Sequence, residues 1–165
     1  STKAIFAGEG GIVVTNDNNI GNLMKDFIAY DRFKRKMEIG CNIRLSELQA
    51  LMIYSVVNEY KEIIKNKSKI AKKYTDACNS FKLKYIDQSA SYNKGNYYKF
   101  TITSPDKAIS DLLPKLKTTT SKVYDYSLGN SKEIPLKHLC LPIWYKLEDE
   151  VSDKAVQEIK ESLGV

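Results

Sequence analysis

The strongest constraint on the fold of this chain is one long amphipathic stripe. Apolar residues recur at positions 48, 51, 52, 56, 60, 63, 64, 70, 71, 74, 77, 78 and 81. That spacing keeps them near one face of a 3.6-residue helix for more than 30 residues. Ser46 and Gln49 open the stripe with the side-chain pair of a capping box. The length exceeds that of an ordinary globular helix, so the pattern predicts a break near Asn66-Lys67-Ser68.

On either side of the stripe the rhythm differs. Gly10-Gly11 lead into the short β-branched run Ile12-Val13-Val14-Thr15, and Asn16 to Asn19 read as a turn and helix cap. Leu23, Met24, Phe27 and Ile28 then recur at helical spacing within residues 20–30. Residues 31–38 are dense in charge and read as exposed. Beyond the long helix, residues 83–86 and 97–103 read as strands joined by the polar loop 87–96. A helix from Ser104 to about Lys117, shortened by Pro114, precedes a strand at 121–126 and a loop at 127–138. Leu139 to Trp144 is a compact apolar segment. The last helix is predicted to start at Ser152, with Val151 and Val156 as a staple, and to end at Gly164. The predicted fold class is therefore α/β, with an α+β small domain: a long helix followed by a small sheet packed with helices.

Composition excludes several classes. Apolar residues make up 42% and charged residues 28% of 165, a globular balance that argues against disorder. No apolar run reaches the roughly 18 residues of a membrane helix, and no signal-peptide pattern opens the chain. A cytoplasmic protein without a membrane partner is expected. The first residue is Ser1, which points to a piece of a longer or processed product. Cys41, Cys78 and Cys140 are widely spaced and lack a C-x-x-C pair, so free thiols are expected and a zinc site is not. The net charge is +6, and six lysines lie between Lys61 and Lys73. They carry neither interleaved aromatics nor a recognised motif, so they read as a solvated helix face and nucleic acid is not an expected partner.

Two clusters hold chemistry-bearing residues. The first is Ser1-Thr2-Lys3 followed by Gly8-Glu9-Gly10-Gly11. A lysine near a glycine-rich turn can serve a phosphate or form a Schiff base; the same residues also suit a terminal lysine and a hairpin. The second runs from Gly40 through Asn42 and Arg44 to Ser46 and Gln49. An amide donor and a guanidinium before a helix N-terminus can face one anion, or simply form a capped loop.

Together, S-T-K-x-x-x-x-G-E-G-G-x-V-V-T-N-D and the later G-x-N-x-R-L-S-E-L-Q-A resemble the C-terminal half of the DegT/DnrJ/EryC1/StrS family. Ile70-Ala71 with Tyr74, Tyr97 to Phe100, and Leu139 to Ile143 follow in that family's order. The resemblance implies the C-terminal part of a fold-type-I, pyridoxal-phosphate-dependent transferase. Residues 1–45 would be the trailing edge of the large cofactor domain, and residues 46–165 the small domain. It implies that Lys3 is the catalytic lysine that bonds pyridoxal 5'-phosphate. Asn42 would contact the cofactor phosphate across a homodimer interface, and Arg44 and Tyr124 would contact substrate. The implied reaction moves an amino group from an amino-acid donor, L-glutamate by expectation, to a nucleotide-linked keto-sugar for cell-surface polysaccharide. The alternative is a non-catalytic remnant of the family that serves as an interaction or folding module. His138, the only histidine, reads as structural or solvent-facing. In the absence of the family's N-terminal half, a core face of residues 4–30 is expected to stand exposed.

Overall fold

The computed structural model describes residues 3–6, 8–29, 40–89, 95–103, 116–117 and 138–164. They form α1 (Asn18–Ala29), α2 (Glu47–Ser80), β1 (Lys84–Tyr85), β2 (Phe100–Thr103), β3 (His138–Leu141) and α3 (Asp149–Leu163). The long helix followed by a small sheet and a last helix confirms the expected fold class. The chain divides into two compact units, residues 1–4 with 59–165 and residues 5–58. The strand read at 121–126, the charge-dense segment 31–38 and almost all of the helix read at 104–117 lie outside the described residues.

The larger unit has a closed core. Its sheet has the order β1-β2-β3 and is antiparallel throughout, with Tyr85 opposite Ile102 and Ile102 opposite Leu139. Strand alternation sends Phe100, Ile102, Leu139 and Leu141 into one cluster with Ile70, Ala71, Tyr74 and Cys78 of α2 and Ala155 and Ile159 of α3. Tyr74 is fully buried, its ring lies 5.3 Å from that of Phe100, and its hydroxyl donates to Pro142 O at 2.8 Å. Across the sheet, Thr101 and Cys140 pair and their side chains meet at 3.6 Å. Lys73 ties α2 to α3 through Asp149 (3.1 Å), Asp153 (2.8 Å) and Ser152 Oγ (2.9 Å).

Two expectations are corrected in this unit. No break occurs at Asn66-Lys67-Ser68: α2 is continuous over 34 residues. Its buried positions Ile63, Lys67, Ile70, Ala71, Tyr74 and Cys78 stay on one face, so packing sustains what length alone would not. Asn66 does not turn its side chain on the local backbone; its Oδ1 accepts from Lys146 N at 2.8 Å. Nor is Ser152 the cap of the last helix. Glu148 holds that position without a side-chain cap, and Ser152 is fully buried, donating to Asp149 O at 2.8 Å while it accepts from Lys73. The predicted terminus holds: Gly164 is left-handed at φ 69° and its N–H returns to Glu161 O and Lys160 O.

The smaller unit is different. Asp17 caps α1 through its Oδ1, which accepts from Asn19 N (2.8 Å) and Ile20 N (3.3 Å). No residue of α1 is buried. Residues 11–15 take no regular structure, and Ile12, Val13 and Val14 are 64%, 67% and 87% exposed. Most of the apolar residues expected to stand exposed within 4–30 do so, including Ile5, Phe6, Ile20, Leu23 and Met24; Ala4 is buried. Among the described residues, no helix is long and apolar enough to cross a membrane.

Candidate functional site

Within the smaller unit the fold joins the glycine turn of the first cluster to the second cluster. Ser46 and Gln49 form the expected capping box: Ser46 N donates to Gln49 Oε1 at 3.0 Å, and Gln49 N donates to Ser46 Oγ at 3.2 Å. Gln49 also reaches 40 residues back, its Nε2 donating to Glu9 O at 2.9 Å. The adjoining glycine is required there. A Cβ on Gly10 would lie 2.7 Å from Leu45 Cδ2, and its φ of 156° is one that side chains rarely adopt. The glycine turn therefore lies against the start of α2.

Asn42 and Arg44 sit in the loop between these contacts, and both are exposed. Cys41 N donates to Phe27 O at 3.0 Å, which ties the loop to the end of α1. The arrangement presents an amide and a guanidinium next to a helix N-terminus, a donor set suited to an anion. Glu47, in the first turn of α2, supplies the opposite charge nearby in sequence.

Lys3 is exposed, next to the buried Ala4, and belongs to the larger unit. Tyr124 lies outside the described residues. His138 is 7% exposed on β3, which favours the structural half of its expectation. All three cysteines are free thiols, as expected. Burial pushes the Cys78 thiol up to about 11 and raises Cys140 as well, so neither is a thiolate nucleophile at neutral pH. No group of His, Cys, Asp and Glu among the described residues could hold a metal ion.

Sequence reasoning missed two features. The long-range bond of Gln49 was one; its capping role hid a second use of the same amide. Lys67 was the other. It is 1% exposed although it is a lysine, and burial, with Lys99 close by, lowers its pKa. Its position four residues after Ile63 and three before Ile70 was the available signal.

A search among curated proteins finds no match. Solved structures do match in fold. The DegT DnrJ EryC1 StrS aminotransferase from Brucella abortus superposes with a TM-score of 0.78 at 18% identity, covering 92% of this chain and 46% of its own. PseC of Helicobacter pylori, an aminotransferase involved in the biosynthesis of pseudoaminic acid, gives 0.78 at 19%, covering 98% and 51%. DesI, crystallised in the presence of its TDP-sugar product, gives 0.76 at 17%, covering 98% and 48%. The chain thus spans about half the length of the structures it matches. The sequence model of one family matches residues 1–125, so the chain belongs to the DegT/DnrJ/EryC1/StrS aminotransferase family.

Proposed function

We propose that this chain is the C-terminal part of a pyridoxal-phosphate-dependent aminotransferase acting on a nucleotide-linked keto-sugar. The observation that carries the reading is the junction of Gly10 with Leu45 and of Glu9 with Gln49, which packs the glycine turn of the family's first motif against its second. The residue types present fit the cofactor: Lys3 is an exposed primary amine, and Asn42 and Arg44 are exposed donors for a phosphate or a substrate anion. When bound, pyridoxal phosphate supplies the aldehyde and the electron-accepting ring that carry an amino group between two substrates. Lys3 would hold the cofactor through its amine, and its Nζ would hold and move a proton during transfer. Asn42 would hold the cofactor phosphate from a homodimer partner's side, and Arg44 and Tyr124 would contact substrate.

The names of the matched structures support the substrate class, since one was crystallised with a TDP-sugar product and another acts in pseudoaminic acid biosynthesis. L-Glutamate is the proposed donor, the cytoplasm the site, and cell-surface polysaccharide the destination. Residues 1–45 then form the trailing edge of the large domain, and residues 46–165 the small domain. The test is Lys3→Ala in the intact protein. It is expected to abolish both the visible absorbance of bound cofactor and amino transfer to a keto-sugar nucleotide. Retention of both removes Lys3 from the role, and absence of both in the wild-type protein favours a non-catalytic remnant.

A further inference from the structure

Gln49 does more than a helix cap requires. It lies in the first turn of α2, half-buried between the exposed Leu48 and Ala50. Its Oε1 accepts from Ser46 N at 3.0 Å and its Nε2 donates to Glu9 O at 2.9 Å. A backbone N–H can only donate and a carbonyl can only accept, so the two partners fix which way the amide points. A capping box takes either Glu or Gln at this position. Only the amide can hold Glu9 as well, because an ionised carboxylate has no proton to give. The turn, and not the helix, therefore accounts for Gln in place of Glu.

Both segments that Gln49 holds border the exposed donors Asn42 and Arg44. Their loop is fixed at its start by Cys41 N, which donates to Phe27 O at 3.0 Å, and at its end by Ser46. On the other side, Glu9 stands between Gly8, left-handed at φ 75°, and Gly10, whose missing side chain leaves room for Leu45. Glycine on both sides gives that turn little stiffness of its own. One amide thus locks a soft turn to the chain four residues past Asn42 and two past Arg44. A donor aimed at an anion gains from being held beforehand, since ordering it at the moment of binding weakens the complex.

We propose that Gln49 is a positioning residue for phosphate binding: it holds the Asn42 loop against the glycine turn, so that Asn42 meets the cofactor phosphate already oriented. The inference rests on the transamination reading, in which Asn42 takes that phosphate, and adds to it a residue that acts through another. Gln49→Glu keeps the acceptor for the cap and loses the donor to Glu9 O. Gln49→Met loses both without adding charge, and it keeps the unbranched length and helix propensity of Gln.

The experiment titrates pyridoxal 5'-phosphate, and pyridoxal without the phosphate, into the cofactor-free intact protein. Binding is followed by visible absorbance, and hydrogen exchange is measured on the same variants. Both substitutions are expected to weaken the phosphorylated cofactor about tenfold and pyridoxal by less than about twofold. Both should speed exchange around residues 8–11, and only Gln49→Met should speed it at residues 45–50 as well. Weakening in Gln49→Glu alone would be the work of its added charge, and weakening in Gln49→Met alone that of the lost cap; either overturns the proposal. So does an equal loss for pyridoxal, unchanged affinity in both variants, or unchanged exchange at residues 8–11. A wild-type protein that binds no cofactor overturns the transamination reading together with this inference. A wild-type protein whose cofactor absorbance is lost in Lys3→Ala but untouched in both Gln49 variants overturns this inference alone.

Discussion

The two compact units treat their apolar residues in opposite ways. In the larger, Tyr74, Ile102, Leu139 and Cys140 are at most 1% exposed. In the smaller, Leu48, Leu51 and Tyr54 of the same helix α2 are 69%, 62% and 68% exposed. One continuous helix thus supplies a core stripe at its C-terminal end and uncovered apolar side chains at its N-terminal end. Local helix physics is the same at both ends, so capping and propensity are not what separates them. The difference is whether the described residues provide a partner surface. The order of the smaller unit rests instead on directional contacts: the Asp17 cap, the Ser46–Gln49 box and the Gln49–Glu9 bond.

The most severe test of that contrast is Tyr74→Ala. It removes a ring packed on Phe100 and leaves Pro142 O without its donor. A loss of about 3–5 kcal/mol is expected in denaturant unfolding. A loss below about 1 kcal/mol would mean that the larger unit is not the stable one. Gly10→Val comes next. Its added carbons meet Leu45 in a backbone conformation that suits glycine, and a loss of about 1–3 kcal/mol is expected. The loss should appear as earlier hydrogen exchange at residues 45–50, with β2 and β3 protected as before.

Lys67 sharpens the comparison from inside the stable unit. Among the described residues no acidic group pairs with it, and Lys99 adds like charge. Its folded pKa lies below its unfolded value, so charging it costs the native state free energy. That penalty is fully present below the folded pKa and fades as pH rises to the unfolded one. Wild-type stability should therefore increase with pH across the alkaline window between the two. Lys67→Met is expected to stabilise the protein by roughly 1–3 kcal/mol at pH 7 and to flatten that rise. A pH-independent difference between the two proteins would show that the folded pKa of Lys67 is not lowered and that charging it carries no penalty.

What could be read in advance follows the same division between local and distant causes. The Ser46–Gln49 box and the Gly164 terminus were legible because each is settled by residues within one turn. The continuity of α2 was not, since it depends on β2 and β3, 20 or more residues beyond its end, covering Ile70 and Tyr74. Ser152 reads as an ideal cap, yet Lys73, 79 residues earlier, draws it inside. At the candidate site, the motifs holding Lys3, Asn42 and Arg44 were legible through their order and spacing. The bond from Gln49 to Glu9 was not, because nothing local predicts a contact across 40 residues.

Ser46→Ala addresses the directional contacts directly. Losing the hydroxyl that accepts from Gln49 N is expected to cost about 1 kcal/mol. Because the same Gln49 holds Glu9 O, the substitution should also raise exchange around residues 8–11, which an isolated cap would not do.

The smallest effect is expected where the comparison is most exposed to refutation. Leu51 is 62% exposed on α2 although it belongs to the apolar stripe. Were it part of a core closed by this chain, Leu51→Gln would cost about 2 kcal/mol or more, as a polar group placed among apolar ones does. If the smaller unit stands on its directional contacts alone, glutamine keeps the helix propensity of leucine and loses almost no buried area. The change in unfolding free energy is then expected to stay within about 0.5 kcal/mol. The same substitution should become costly only when a second surface covers this end of α2. The ratio of the two penalties, measured with and without that surface, would report how much of the stripe is reserved for a partner.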